Sequence, residues 1–262
     1  MNKKNFLYLL LIALFSIIII IFLMTFLKII NQGDAPNAEN AVTASKGVLD
    51  SKIICLDPGH GKTSRKETEP IYPGSSEKKA ANVSGASGKI MTEEELNLEV
   101  SLRLKQALEK EGATVFITRT THECDLTNIE RAEFANNSGC DILIRIHADG
   151  SESPSVSGIS MLIPSKKRIA EGYLTSQIIE KSRIAGELIL EKTTQKTGAK
   201  NLGIIERPDM TGFNWSSVPV VLLEMGFITN AEEEEKLTSI QYQDLLIDGI
   251  ISGLDEYFKN AV

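Results

Sequence analysis

The sequence predicts an α/β fold: a single domain with a twisted, mostly parallel sheet flanked by helices on both faces, preceded by an N-terminal transmembrane helix. Two observations predict the domain. Short runs of Ile, Leu and Val, typical of buried strands, recur along the chain after residue 51. Segments with apolar residues at helical spacing lie between these runs. Strands that alternate with helices are typical of a parallel sheet that is covered on both sides.

The predicted elements follow one another in this order. The first strand, 52–56 (KIICL), is a short apolar run. A helix begins after Thr92, because Thr92 and Glu95 form a capping-box pattern, and it ends at Gly112. Further strands are predicted at 113–118, 141–146, 158–163 and 219–223, and further helices at 126–136, 176–197 and 240–258. Residues 62–89 show neither periodicity and are predicted as a loop, and loops of this length are usually functional or disordered.

The N-terminal segment, 1–30, is predicted to be an uncleaved membrane anchor. Its uncharged stretch, residues 5–27, exceeds the roughly 20 apolar residues that cross a bilayer. A cleaved signal peptide is the alternative, although its apolar region normally has only about 7 to 15 residues. Lys3 and Lys4 precede the stretch and only Lys28 follows it closely, which indicates a cytoplasmic N-terminus. We therefore expect a single-pass protein of the cytoplasmic membrane whose domain lies on the cell-wall side.

The remaining chain divides into a predicted flexible linker, 31–50, and a folded domain, 51–262. The linker is rich in Asn, Ala, Gly and Ser and has no apolar periodicity. The whole chain carries a formal charge of −7, and the first 30 residues contain three lysines and no acid, so the rest carries −10. Nucleic-acid binding is excluded on this ground, because phosphate contacts need clustered Lys and Arg.

Three cysteines are too few and too widely spaced for a disulfide framework or a thiolate zinc site, since none forms a CxxC pair. Cys55 lies within an apolar strand and is predicted to be a small buried apolar residue. Cys124 and Cys140 could pair with each other, and the sequence leaves this open.

Two of the three histidines follow predicted strands directly. His60 comes after the first strand and its turn, and His147 comes after 141–146. The carboxyl ends of strands form the ligand crevice of open α/β sheets, so both imidazoles are expected at one site. Either histidine alone would more simply be explained by hydrogen bonds within its loop. A catalytic zinc ion needs about three N or O ligands and one open position, so one ligand is still missing.

Two glutamates are candidates for the remaining chemistry. Glu93 opens the helix after Thr92 and is free of the capping role, so it is the best third ligand; the alternative is an acid favoured only by the helix dipole. Glu224 follows five apolar residues, and burial beside a metal would suit it to proton transfer. The alternative for Glu224 is a structural carboxylate bonded to backbone amides.

Six motifs in this order resemble those of the zinc-dependent N-acetylmuramoyl-L-alanine amidases of bacterial autolysins and spore-wall hydrolases. The resemblance covers about residues 52–258. The motifs are ICLDPGHG (54–61), EEELNLEVSLRLKQAL (93–108), VFITRT (115–120), ERAEFAN (130–136), ILIRIHAD (142–149) and VPVVLLEMGFITN (218–230). The resemblance implies that His60, Glu93 and His147 bind Zn²⁺ and that Glu224 is catalytic. It also implies hydrolysis of the amide bond between N-acetylmuramic acid and L-alanine in peptidoglycan.

The sequence departs from the family pattern in two places. Lys62 follows the GHG where relatives usually have a second Gly, and 32 residues separate His60 from Glu93. Trp215 stands where many relatives have an aliphatic residue and Arg, and it is either a substrate platform or a core residue. Arg207 is a candidate contact for peptide carboxylates.

Some alternatives remain open at this stage. Arg119 and Arg145 are further candidate contacts for peptide carboxylates, although Arg119 and Arg131 could equally be structural. His122 receives no role. A wall-binding protein without activity, or a zinc peptidase or deacetylase acting on another bond, would be told apart by analysis of reaction products. Peptidoglycan and the membrane are the expected partners, and nothing in the sequence identifies a regulatory protein partner.

Overall fold

The computed structural model describes residues 47–62, 66–169 and 173–260. The predicted membrane anchor and most of the predicted linker lie outside these residues. None of the helices within the described ranges is long and apolar enough to cross a membrane.

Six strands form the central sheet and two form a separate hairpin. In chain order the strands are β1 (Ile53–Pro58), β2 (Thr68–Pro70), β3 (Lys78–Ala80), β4 (Thr114–Ile117), β5 (Ile142–Asp149), β6 (Ile159–Pro164), β7 (Asn201–Arg207) and β8 (Val220–Phe227). The sheet has the order β4-β1-β5-β8-β6-β7. Neighbours from β4 to β8 are parallel, whereas β6 is antiparallel to β8 and parallel to β7. The prediction of a mostly parallel sheet is confirmed.

Helices cover both faces of this sheet, as predicted. They are α1 (Glu93–Lys110), α2 (Asn128–Ser138), α3 (Ser176–Thr197), α4 (Thr211–Asn214), α5 (Ala231–Leu237) and α6 (Ile240–Asn260). The predicted capping box starts α1: the Thr92 side chain accepts a hydrogen bond from the Glu95 amide, and the Glu95 side chain accepts one from the Thr92 amide. The cap fixes the residue at which α1 begins, and therefore where Glu93 lies.

Alternate residues of the central strands pack into two different cores. Ile54 and Leu56 of β1 and Ile144 of β5 point to the face covered by α1, α3 and α6. Cys55 of β1 and Leu143 of β5 point to the opposite face, where α2 and α4 pack. The same alternation continues towards the carboxyl ends of the strands. The polar side chains that these strands contribute to the candidate site therefore lie on this second face.

Cysteine pairing differs from the prediction. Cys55 and Cys140 form a disulfide with their Cα atoms 5.8 Å apart, and the buried Cys124 is free. The prediction of an unpaired Cys55 is therefore wrong, and the Cys124–Cys140 pair that the sequence left open does not form. The physical reason is topological: β1 and β5 are neighbours, so Cys140, two residues before the start of β5, lies beside β1, although 85 positions separate the two cysteines in sequence.

Within the predicted loop at 62–89, the described residues include the hairpin of β2 and β3. The Glu69 carboxylate accepts hydrogen bonds from the Ile129 amide (3.1 Å) and the Asn128 side chain (2.9 Å) at the start of α2. On its other side, the Asn214 side chain donates to the Ile71 carbonyl at 2.8 Å. The hairpin is thus held between α2 and α4, and the chain leaves it towards the carboxyl edge of the sheet.

Candidate active site

His60 lies just beyond β1 in an unusual backbone conformation. Its φ of 61° is in the left-handed region, which is uncommon for a residue with a side chain. Two buried arginines hold this turn: Arg131 donates to the His60 carbonyl (2.8 Å), and Arg119 donates to the Gly59 carbonyl (2.8 Å). The ring Nδ1 is 2.8 Å from the Val83 carbonyl, so we assign the proton to Nδ1. This assignment leaves Nε2 with a free lone pair that faces Glu93.

His147 projects from β5 towards the same point. Its Nδ1 lies 3.1 Å from Glu93 Oε1, and its ring centre is 4.8 Å from that of His60. A side chain at Gly59 could not be accommodated, because its Cβ would be 2.3 Å from His147 Cε1. Burial lowers the pKa of His147 to about 4, so the imidazole is neutral at neutral pH and can act as a ligand.

Glu93 joins the two histidines. The residue is buried, with only 5% of its surface exposed. Its Oε1 lies 3.0 Å from His60 Nε2 and 3.1 Å from His147 Nδ1. Its Oε2 accepts a hydrogen bond from the Ala86 amide at 2.7 Å. Burial alone would raise the pKa of the Glu93 carboxyl, but the hydrogen bond from His147 and the contact with His60 hold that pKa far below its ordinary range. Glu93 is therefore a carboxylate at neutral pH.

These three side chains suit a divalent metal ion. Their ligand atoms all lie within 4.8 Å of one another. Two imidazole nitrogens and one carboxylate oxygen form a donor set of the type found in catalytic zinc sites, which keep a fourth position open. Close packing supports the same reading, since a Cβ at Gly85 would lie 2.4 Å from Glu93 Oε2 and 2.8 Å from His60 Cδ2. The residues present therefore fit a metal ion.

Glu224 lies beside this cluster on the next strand. It is the Cα partner of His147 in the parallel pairing of β5 and β8, so both side chains point to the same face. Its Oε2 is buried and has no hydrogen-bond partner among the described residues. Burial raises the pKa of Glu224 well above its ordinary value, and the negative charges of Glu93 and Asp149 raise it further. A raised pKa suits a carboxyl group to proton transfer, because it makes the carboxylate a stronger base.

Two of the three arginines that were candidates for substrate binding have structural roles instead. Arg119 and Arg145 are buried, and Arg145 Nε donates to Asp57 Oδ2 at 2.8 Å. Arg207 is partly exposed and binds both carboxylate oxygens of Asp209, each at 2.8 Å. Its positive charge offsets part of the rise in the pKa of Glu224 that burial causes. Arg207 therefore remains a candidate substrate contact.

Trp215 lies against the β2–β3 hairpin. Its indole Nε1 donates to the Pro70 carbonyl at 3.2 Å, and its ring centre is 6.0 Å from that of Tyr173, whose side chain is exposed. These contacts make Trp215 part of the hairpin support. Its role towards substrate stays a prediction.

Two contributors to the site were not identified from the sequence. Asp57 is fully buried and pairs with Arg131 (2.6 Å) and Arg145 (2.8 Å), directly below the turn that carries His60. Burial alone would raise the pKa of Asp57, but these two arginines hold it far below its ordinary range. The sequence offered one signal for this ion pair: the acidic Asp57 and the basic Arg145 stand beside or within apolar runs. The second contributor is the backbone of residues 82–91, for which only the length of the loop gave a signal.

Comparisons with known proteins agree with this arrangement. The family model described as "N-acetylmuramoyl-L-alanine amidase" matches residues 54–256, which includes all four candidate site residues. The chain is also similar in fold to a crystal structure of the N-acetylmuramyl-L-alanine amidase Ami1 from Mycobacterium smegmatis. That similarity has a TM-score of 0.72 at 22% identity and covers 80% of this chain and 98% of Ami1.

Two sequence relatives show how much of other proteins the chain spans. It is 29% identical to the uncharacterized protein YqiI of Bacillus subtilis, covering 80% of this chain and 86% of YqiI. It is 27% identical to the N-acetylmuramoyl-L-alanine amidase AmiC of Escherichia coli, covering 91% of this chain but only 62% of AmiC. The family match covers most of the chain, and the chain therefore belongs to the N-acetylmuramoyl-L-alanine amidase family and is an enzyme of the amidase class.

Proposed function

We propose that this enzyme hydrolyses the amide bond between N-acetylmuramic acid and L-alanine in bacterial peptidoglycan, and that the reaction depends on zinc. The observation that carries the proposal is the convergence of His60 Nε2 and His147 Nδ1 on Glu93 Oε1, at 3.0 and 3.1 Å. These residues would hold the ion. A zinc ion bound by them would polarise a substrate carbonyl and lower the pKa of water towards neutrality.

Glu224 is the proposed general base and acid. It lies next to His147 across the sheet, and its raised pKa allows it both to take a proton from the attacking water and to return that proton to the leaving amine. Glu93 cannot share this role, because the hydrogen bond from His147 and the contact with His60 keep it ionised. The two carboxyl groups therefore have different protonation behaviour, as their different tasks require.

The test of the proposal is Glu224→Gln, which keeps the shape of the side chain and removes its basicity. We expect kcat on purified peptidoglycan to fall by at least about 100-fold, while zinc content per molecule stays at the wild-type level. Glu232→Gln, on the exposed surface of α5, is the matched control and should keep full activity. Mass spectrometry of the products should show cleavage at the lactyl–alanine bond. Full activity of Glu224→Gln, or products cut only at another bond, would overturn the assignment.

We also propose that residues 5–27 tether the enzyme to the cytoplasmic membrane with the domain on the cell-wall side. The length of this apolar stretch and the lysines before it support the proposal. Membrane fractionation of the full chain, followed by protease treatment of intact protoplasts, tests it. Recovery in the soluble fraction, or protection of the domain from protease, would show that the proposal is wrong.

A further inference from the structure

The segment at residues 82–91, which we name the covering segment, lies directly against two of the proposed metal ligands. The Val83 carbonyl accepts the Nδ1 proton of His60 (2.8 Å), and the Ala86 amide donates to Glu93 Oε2 (2.7 Å). The Ala86 carbonyl also accepts a hydrogen bond from the Glu93 amide at 3.0 Å. Contacts of this kind set the tautomer and orientation of metal ligands. The covering segment therefore orients His60 and Glu93 through hydrogen bonds of its backbone.

The covering segment needs support of its own, because it crosses the domain surface outside any strand or helix of the central fold. Part of the support is internal: the Gly88 amide donates to the Met91 carbonyl at 3.1 Å, which closes a tight turn. The outer end of this turn rests on α5. There, Glu234 Oε1 accepts hydrogen bonds from the amides of Ile90 (2.6 Å) and Met91 (3.2 Å).

Glu234 is well placed to hold this turn. It is 2% exposed, and hydrogen bonds from backbone amides to a carboxylate are stronger than those between neutral groups. The fit is close, since a Cβ at Gly88 would lie 2.0 Å from Glu234 Oε1. Removing the carboxylate would leave two backbone amides without their acceptor and would release the turn that leads towards Glu93.

We propose that Glu234 is a positioning residue of the metal site, which acts by holding the covering segment against Glu93 and His60. Glu234 follows β8, the strand that carries Glu224, so α5 connects the strand of the proposed base to the segment that orients the metal ligands. The inference uses the proposed zinc site, but it does not depend on which bond the enzyme cleaves.

The test measures zinc binding without substrate. The dissociation constant of Zn²⁺ is determined by competition with a chromophoric chelator for the wild type and for Glu234→Ala, and the visible spectrum of the Co²⁺ form reports the ligand geometry. We expect Glu234→Ala to bind zinc at least about 10-fold more weakly, as outer-shell changes commonly do, and to alter the Co²⁺ spectrum. Glu235→Ala removes the same charge from the exposed neighbour on α5 and should change neither.

Two further variants keep the test decisive if Glu234→Ala folds poorly. Glu234→Gln retains an acceptor oxygen, so its zinc affinity should lie between those of the wild type and Glu234→Ala. Gly88→Ala disturbs the same contact from the covering segment and should weaken zinc binding in the same way. Wild-type zinc affinity in folded Glu234→Gln and Gly88→Ala would overturn the inference. Normal zinc binding by a wild-type protein that releases no lactyl-linked product would instead count against the proposed function alone.

Discussion

The two faces of the central sheet are made of alternate residues of the same strands, but they contain different kinds of interaction. On the face covered by α1, α3 and α6, every strand contributes apolar side chains such as Ile54 of β1 and Ile144 of β5. On the face covered by α2 and α4, a smaller apolar cluster is joined by the Cys55–Cys140 disulfide, then by the Asp57 and Arg145 ion pair, then by His147 and Glu224 at the carboxyl edge.

This difference shows how one sheet serves both stability and chemistry. The apolar face is stabilised by burial, which has no directional requirement and tolerates small changes. The polar face depends on directed contacts, because each buried charge is stable only while its partner is present. The turn carrying His60 rests on that polar face, through Arg131, so the position of a proposed metal ligand depends on ion pairs beneath it.

The largest expected effect on stability comes from breaking these ion pairs. Asp57→Asn removes the carboxylate that Arg131 and Arg145 share and leaves both guanidinium groups buried without it. We expect the free energy of unfolding to fall by about 3 to 5 kcal/mol. Ile54→Val, on the apolar face of the same strand, should cost only about 1 kcal/mol. Urea unfolding of both variants makes the comparison, and equal losses would mean that the two faces do not differ as we describe.

The effect of Asp57→Asn should also depend on pH. The folded protein holds the pKa of Asp57 far below its ordinary value of about 4. The ionised carboxylate therefore stabilises the fold above pH 4, and this contribution is lost as the pH falls from there towards the lowered pKa. We expect the difference in the free energy of unfolding between wild type and Asp57→Asn to become smaller in acid. The loss of unfolding free energy caused by Ile54→Val should stay nearly constant with pH.

The disulfide at the other end of the polar face should have the next largest effect. Replacing Cys55 and Cys140 together by Ala removes a crosslink between residues 85 positions apart, and such links typically stabilise by about 2 to 4 kcal/mol. Urea unfolding with and without a reducing agent measures this. Reduction should destabilise the wild type but not the double variant. Cys124→Ala is the control that leaves the crosslink in place. Detection of three free thiols in unreduced, unfolded protein would contradict the pairing.

The sequence was informative where local chemistry decides the structure. Thr92 and Glu95 predicted the start of α1, which in turn fixed Glu93, and the placement of His60 and His147 after strands predicted that they meet. Strands β1, β4, β5, β6 and β8 were recognised because each contains a run rich in apolar residues. β7 was not, because this edge strand is only partly buried and has no such run.

Pairing between distant parts of the chain could not be read in the same way. Cys55 and Cys140 pair because β5 lies beside β1 in the sheet, although the two strands are far apart in the sequence. Likewise, the contact of Glu234 with the covering segment joins backbone amides to a carboxylate more than 140 positions away. Backbone amides occur at almost every residue, so no residue type marks such a contact in advance.

The smallest expected effect concerns the charge of Arg207. Glu224 must be deprotonated to accept a proton, so kcat/KM should rise as the pH rises through its pKa. The positive charge of Arg207 offsets part of the rise in that pKa caused by burial, and Arg207→Ala should therefore move the acid limb of the profile to higher pH. Arg207→Lys keeps the charge and should leave the limb in place. A rise in KM without any shift of the limb would instead identify Arg207 as a substrate contact, as the sequence predicts.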